Sequence, residues 1–399
     1  MTQVLLNTLL ICSFGFVTFS DFSNQTFAEE PKIQEVNTSV LMRQFLEHLK
    51  TLKKYSVSDQ KFSDPKNTLE ISNQLQGFTQ TAKAAAHDPM LKHENFRFSL
   101  QVLDNHISET EKVFRSGNKT FARWMLNSTM SVCMSCHSQM PTQKRSFFEF
   151  EKPESYFSEF EQAEFLFATR DFEKASEIYE KIINRNLKFD DKLEVERSLE
   201  RQVAYYSRIK RNPTEAIKKF ESYLKIQNLT ERSLRAIASW IQQFKNWEKQ
   251  KILDPRSATE KEIIKFAKQN LDPNAPKASN ESYGPDLVTY LYASGVLYEY
   301  LYSHAKVQST PELLYWLAVS DRLINHNFFY SLADLYLREC IIAYSTQPIA
   351  KDCYREYEKE MIFSYSGSGG THLPADVVDD LKNLKKLVNN KNKIKLNSF

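Results

Sequence analysis

Two cysteines and a histidine stand together in the segment Cys133-Met134-Ser135-Cys136-His137. Thiols at this spacing can each form a thioether bond to a vinyl group of the same haem, while the imidazole that follows binds the iron. The segment therefore meets the chemical requirement for covalent haem attachment. It predicts one haem c, bound through Cys133 and Cys136, with His137 as an iron ligand.

Two other kinds of site also use paired cysteines. A redox dithiol of the thioredoxin type needs strands and helices in alternation, whereas the residues around this motif have helical periodicity. A structural zinc ion needs two further cysteine or histidine ligands nearby. Both stay open as alternatives, and haem attachment is the preferred interpretation.

The elements that must position the motif are predicted to be helices. Apolar residues at helical spacing, separated by short polar breaks, predict four of them before residue 141. Their predicted ranges are Ser39–Lys54, Asn67–Ala86, Glu94–Phe114 and Thr120–Ser138. Four consecutive helices of this length favour an antiparallel bundle, which we assign to residues 37–145.

A haem motif that closes the fourth helix of a bundle resembles the class II c-type cytochromes, the cytochrome c prime family. The resemblance covers about residues 37–141. It implies that His137 is the proximal iron ligand, that Cys133 and Cys136 are the thioether donors, and that Met42 or a neighbour faces the distal side. The sequence departs from the family directly after the histidine, where Ser-Gln-Met-Pro stands in place of the basic residues of many members. The environment of the proximal imidazole is therefore not defined by the resemblance.

The ligand on the distal side of the iron would decide the function. If the sulfur of Met42 binds iron, the site is six-coordinate and suits electron transfer, because Met/His ligation raises the reduction potential. If it does not, the iron keeps a position for a small ligand such as nitric oxide or carbon monoxide. A methionine at helical spacing is more often a core residue, so both stay open. Met90 and His93, in the loop before the third helix, are weaker candidates.

One face of the fourth helix is expected to contact the porphyrin. Residues three or four positions apart share a helix face, and those on this face are Leu126, Met130, Cys133 and His137. Phe121 and Trp124 are near enough to flank the haem, although a place in the bundle core is the simpler expectation.

An internal repeat begins after Pro153. The segments Ala163–Tyr179 and Ala204–Phe220 align, each with two alanines twelve positions apart and an aromatic residue four positions later. This pattern resembles tetratricopeptide repeats, in which small residues let paired helices approach closely. The separation of the copies exceeds the usual repeat length of about 34 residues, and an elongated loop at Asn184–Lys192 accounts for the excess.

Tetratricopeptide-like repeats are accordingly predicted for residues 153–250. Residues 255–399 are predicted to add degenerate helical repeats with a C-terminal cap, after a linker near Leu271–Tyr283. The predicted helices there are Leu287–Tyr302, Pro311–Leu323, Phe328–Ala343, Ile349–Phe363 and Ala375–Val388. An α-solenoid of this kind would dock a protein partner, such as a redox partner.

Cys340 and Cys353 form the second chemical pair. Cys340 is near the end of one predicted helix and Cys353 is one turn into the next, so a helical hairpin would bring them together. A disulfide is expected in an oxidising compartment, and two separate buried thiols are the alternative. The glycine-rich segment Ser366–Thr371 lacks the Lys-Ser/Thr pair of a phosphate-binding loop and is predicted to be an ordinary loop.

The N-terminus resembles a signal for export. An apolar run from Val4 to about Phe19 is followed by Thr26-Phe27-Ala28, so residues 1–28 are predicted to be a signal peptide cleaved after Ala28. No Lys or Arg precedes the apolar run, and an uncleaved membrane anchor or a lipid on Cys12 stays open. Export would place the protein in the bacterial periplasm or cell envelope.

The composition indicates an all-α protein. The chain of 399 residues has only 8 glycines and 13 prolines, which favours long helices. Its 53 Lys and Arg against 50 Asp and Glu leave a formal charge of +3, too small to indicate nucleic acid as a partner.

The predicted function is electron transfer by an exported haem protein whose repeats dock a partner. The alternatives are a small-ligand binder or sensor and a haem-free envelope scaffold. No residue pattern demands catalysis, although an open haem site is compatible with weak peroxidase activity. The sequence does not indicate the oligomeric state.

Overall fold

The protein is helical throughout the part that the computed structural model describes. The described residues are 38–140, 157–185, 192–227, 229–250, 252–274, 286–304, 309–324 and 329–389. The strands among them are Ser366–Gly367 and Gly370–Thr371, which pair as a small antiparallel hairpin. The predicted all-α class is therefore confirmed.

The helices are numbered in chain order. The first five are α1 (Thr38–Ser56), α2 (Asp59–Ser63), α3 (Thr68–Ala85), α4 (Glu94–Arg115) and α5 (Lys119–His137). The next six are α6 (Glu159–Ala168), α7 (Phe172–Ile183), α8 (Lys192–Ala204), α9 (Pro213–Tyr223), α10 (Glu231–Glu248) and α11 (Glu260–Asn270). The last five are α12 (Leu287–Ser303), α13 (Pro311–Leu323), α14 (Ala333–Ala343), α15 (Ile349–Ser364) and α16 (Ala375–Asn389).

The four helices predicted before residue 141 are present as α1, α3, α4 and α5, with bounds within two residues of those expected. The prediction missed α2, which has five residues and is too short to have a visible apolar period. Ser58 begins it by accepting a hydrogen bond from the backbone N–H of Lys61. A 3₁₀ turn at Pro65–Asn67 then leads into α3.

Each of these helices buries an apolar stripe against its neighbours. Helix α1 packs on α3, α3 on α4 and α4 on α5, while α2 contacts α5. The shared core includes Leu41, Leu52, Phe62, Ile71, Leu75, Phe78, Ile107 and Ala122. Burial of these side chains is the main source of the helices' stability, because isolated helices of this length are marginal in water.

The positions of the internal repeat are buried as a helix-pair pattern requires. Helix α6 packs on α7, α7 on α8 and α9 on α10. The matching small and aromatic residues, all at most 1% exposed, are Ala163, Ala175, Tyr179, Ala204, Ala216 and Phe220. The small side chains thus lie where helices come close together.

One irregular segment interrupts the regular pairing. After α8 the chain continues as a π-helical turn at Tyr205–Ile209, which packs against α12. A Cβ atom at Gly295 of α12 would lie 2.6 Å from the backbone oxygen of Arg208. Glycine is therefore needed at this crossing of α12 and the turn.

Later helices pack directly on the segment that carries the haem motif. Val132 and Met134 of α5 belong to the same apolar core as the helices from α6 onward. The hydroxyl of Ser135 donates a hydrogen bond to the carbonyl oxygen of Tyr330, at 3.0 Å. Arg97 of α4 forms an ion pair with Glu339 of α14, at 2.9 Å. Residues from 36 onward accordingly form one compact unit, while the predicted domain bounds remain predictions.

Cys340 of α14 and Cys353 of α15 lie at disulfide distance, with Cα atoms 6.3 Å apart.

Most of the predicted C-terminal helices begin and end within a residue or two of their expected bounds, but α14 begins at Ala333 rather than Phe328. Within the described residues, no helix combines the length and apolar character needed to cross a membrane.

Several predictions lie outside the described residues. These are the signal peptide at 1–28 with its cleavage site at Ala28, the lipidation alternative at Cys12, most of the loop at 184–192, and the second half of the linker at 271–283.

Candidate functional site

The haem motif forms the last turns of α5. Asn118 begins this helix by accepting a hydrogen bond from the backbone N–H of Phe121, and the helix ends at His137. Cys133, Cys136 and His137 all line one cavity. Met134 and Ser135, which lie between them in sequence, are buried in the packing against later helices.

This haem-motif cavity is almost entirely apolar. Its volume is about 80 Å³. Its walls come from α1, α3, α4, α5 and α6, and outside the motif its polar side chains are Ser99 and Thr169. The apolar contributors include Phe45, Leu46, Leu49, Phe78, Leu103 and Phe165. A lining of this kind suits a mainly apolar ligand.

His137 is fixed in one orientation by a backbone group. Its Nδ1 atom is hydrogen-bonded to the carbonyl oxygen of Ala168, the last residue of α6. Because a carbonyl can only accept, Nδ1 must carry the hydrogen, and Nε2 of the neutral ring then keeps its lone pair. Burial lowers the pKa of His137 to about 4, so the ring is neutral at physiological pH. A histidine held in this way is ready to ligate a metal through Nε2.

The two thiols are protonated in this environment. Burial raises the pKa of Cys133 to about 12. Burial also raises the pKa of Cys136 to about 11, although a hydrogen bond with Ser99 and the charge of Arg170 act in the opposite direction. A redox dithiol works through a thiolate of lowered pKa, so this environment argues against the dithiol alternative.

Arg170 is a residue of the site that sequence reasoning missed. It follows α6, and its positive charge acts on both Cys136 and His137. Its Nη1 lies 3.0 Å from the sulfur of Met140. The sequence directly after His137 has no basic residue, and the fold supplies one from a later helix pair. No local signal in the sequence marks this approach.

Met42, which the resemblance assigns to the distal side of the haem, is a residue of the cavity wall. It is half-buried on α1 and lines the haem-motif cavity together with the motif. The weaker candidates do not line this cavity: Met90 packs against the core of the first five helices, and His93 is exposed before the start of α4.

The structure brings part of the predicted face of α5 to the cavity. Met130 lines the cavity with the motif residues, whereas Leu126 packs into the core of the first five helices. The expectation that Phe121 and Trp124 flank the haem or fill the core is wrong. Their exposed fractions are 46% and 65%, and their rings stack on each other at 5.6 Å. They lie on the outer face of α5 because Ala122 and Met125 take the inner one.

The described residues also bear on the zinc alternative. Among them, no three His, Cys, Asp or Glu side chains are grouped as ligands for a metal ion. In the part of the chain that is described, the two thiols and His137 therefore do not themselves form a three-ligand group for a metal ion. Two thiols, an imidazole with a free Nε2 and an apolar cavity fit a covalently bound haem better than a structural zinc ion.

The chain was compared with protein-family models, curated proteins and solved structures, and none of them matches it.

Proposed function

We propose that this protein is an exported electron-transfer protein with one covalently attached haem c. Cys133 and Cys136 hold the haem, and His137 is the proximal iron ligand. The observation that carries the proposal is that these three side chains line one apolar cavity, with Met42 of α1 on the same cavity.

The surroundings of the cavity support a redox role. Haem, when bound, supplies a one-electron iron couple. The apolar side chains exclude water and thereby favour the reduced, less charged state of the site. The hydrogen bond from His137 to Ala168 fixes the ring orientation. Arg170 adds a positive charge beside the motif, which also favours the reduced state.

Met42 is the proposed sixth ligand. Its neighbours on the α1 wall, Phe45, Leu46 and Leu49, are hydrocarbon side chains that cannot ligate iron. The second candidate function is a binder or sensor of nitric oxide or carbon monoxide, which holds if Met42 stays off the iron. The same hydrocarbon wall favours this candidate, because it would admit a small neutral ligand.

The remaining helices are proposed to be a scaffold. We assign the first five helices to a class II four-helix bundle with α2 as an insertion, and α6 to α16 to a tetratricopeptide-like solenoid that docks a protein partner. The buried alanines and aromatic residues of the repeat support this assignment. The partner would be a redox protein of the periplasm or cell envelope, where the predicted signal peptide would direct the chain.

The test is expression of the full chain in bacteria that have a haem-attachment system. The expected result is haem that stays on the chain after denaturation and extraction, and that is lost in a C133A/C136A variant. A C340A/C353A variant is the matched control and should keep the haem. A wild-type chain without attached haem overturns the proposal and leaves the envelope scaffold.

Spectra of the attached haem separate the two haem functions. Electron transfer predicts a low-spin Met/His spectrum that becomes high-spin in M42L. M130L is the matched control, because Met130 lines the same cavity from α5 itself. A high-spin wild-type spectrum that shifts with carbon monoxide would replace electron transfer with ligand binding.

A further inference from the structure

A second cavity, the charged cleft, adjoins the haem-motif cavity. The two share Leu49, Met130 and Phe165 in their walls. The charged cleft has a volume of about 290 Å³. Unlike its neighbour it is lined by ionisable side chains, namely Lys53, Arg123, Glu161, Glu164 and Arg197. The apolar haem-motif cavity is therefore adjacent to a cavity lined by charged side chains.

The carboxylates of the charged cleft each have a cation of their own. Glu161 forms an ion pair with Lys53 at 2.6 Å. Glu164 forms one with Arg201 at 2.7 Å and accepts a hydrogen bond from the Tyr179 hydroxyl at 2.6 Å. Neither carboxylate is therefore needed to balance the other cations of the cleft.

The guanidinium groups that line the charged cleft belong to Arg123 and Arg197. Arg123 of α5 donates through Nε to the carbonyl oxygen of Ser56, at 2.7 Å. Among the described residues, no carboxylate lies within ion-pair distance of Arg123 or of Arg197, which is on the rim of the cleft. The charged cleft therefore carries an excess of positive charge on two groups that bind carboxylates well.

The direction of α5 relates the two cavities. Arg123 precedes Cys133 by ten residues on this helix, which is about 15 Å along its axis. A haem bound through its vinyl groups at the end of α5 has its two propionates on the opposite edge of the ring. That edge is a carboxylate-bearing end that needs cations or water.

We propose that the charged cleft receives the haem propionates, with Arg123 and Arg197 as their partners. This inference rests on the proposed function. The two arginines act as positioning residues: they orient the ring in the apolar cavity and balance its negative charge.

The test uses the haem-loaded full chain and the variants R123Q, R197Q and their double. R123K and R197K keep the charge, and R235Q is the control, since Arg235 is an exposed residue of α10 paired only within its own helix. Two readouts are taken on each sample. Haem retained after denaturation reports the proposed function, and equilibration with a redox dye reports the reduction potential.

Loss of one positive charge beside the haem should shift the ferrous-to-ferric ratio toward ferric, by roughly fourfold if the charge would act over about 10 Å at an effective dielectric constant between those of a protein surface and of water. We expect this shift in R123Q and in R197Q, a larger one in the double variant, and little in the two lysine variants. Haem should remain attached in all of them.

Attached haem with the same potential in the glutamine variants as in R235Q overturns the inference and leaves the proposed function standing. A wild-type chain without attached haem overturns both. If the double variant does not fold, the comparison of each glutamine variant with its lysine counterpart decides the question, because equal potentials in such a pair exclude a role for the charge.

Discussion

An ion pair joins Arg201 of α8 to Glu164 of α6. Both helices belong to the internal repeat, and Glu164 also lines the charged cleft. The Arg201 side chain is 8% exposed, and its Nε and Nη2 atoms donate to the two carboxylate oxygens at 2.7 and 2.9 Å. Removing one partner of a buried pair leaves the other charge without compensation. This typically costs about 3–5 kcal/mol in the free energy of unfolding.

We therefore expect R201M to lose about 3–5 kcal/mol, because Glu164 keeps only the Tyr179 hydroxyl as an uncharged partner. The double variant E164Q/R201M should lose less than the sum of the single variants, since it no longer buries an unpaired charge. Urea unfolding followed by circular dichroism measures both effects.

The matched control is the ion pair between Lys219 of α9 and Glu180 of α7. Its distance is also 2.7 Å, but its side chains are 28% and 37% exposed. An ion pair in contact with solvent contributes about 0–1 kcal/mol, so K219M should change little. If R201M and K219M lose the same amount of unfolding free energy, burial does not account for the contribution of the Arg201 pair, and the reasoning fails.

Three further predictions concern stability. Reduction of the disulfide, or C340A/C353A, should cost about 3 kcal/mol in urea unfolding, because the disulfide joins residues 13 positions apart and so restricts the unfolded chain. G295A should cost about 1–3 kcal/mol, since its Cβ would meet the backbone oxygen of Arg208 at 2.6 Å and backbone cannot move as a side chain can. Burial lowers the pKa of His106, so the unfolded chain binds a proton more readily. Stability should then fall as the pH drops below about 6.5, with a weaker dependence in H106Q.

Each of these has a simple comparison. G369A is the control for G295A, because nothing lies within 4 Å of a Cβ at Gly369. Equal unfolding curves with and without reductant would contradict the disulfide prediction. An unchanged dependence of the urea midpoint on pH between 7.5 and 5.5 in H106Q would show that other groups cause it.

Local patterns predicted the helices well because a helix is formed by contacts within four residues. The stripe on α1 and the Asn118 cap of α5 are visible in the chain itself, and their helices begin and end close to the expected residues. Spacing put Leu41 or Met42 on the apolar stripe of α1, whereas the expectation that Met42 or a neighbour faces the haem came from the family resemblance.

Features that depend on distant contacts could not be predicted in this way. Arg170 reaches the motif, and Arg197 the charged cleft, through the packing of α6 on α5, of α7 on α6 and of α8 on α7. The faces of α5 were misjudged for a similar reason. Phe121 and Trp124 are apolar and at helical spacing, but the inner face at that level is already filled by smaller and more flexible side chains.

The hydrogen bond between His137 and Ala168 has a consequence for biogenesis. Its acceptor is at the end of α6, and Phe165 of the same helix forms part of the cavity wall beside the two thiols. In the proposed haem protein we expect haem attachment to precede the docking of α6, because α6 forms part of the wall of the cavity that would hold the haem. A chain without this cofactor would retain an apolar cavity beside α6 and would unfold more readily, and cellular proteases degrade chains that unfold often.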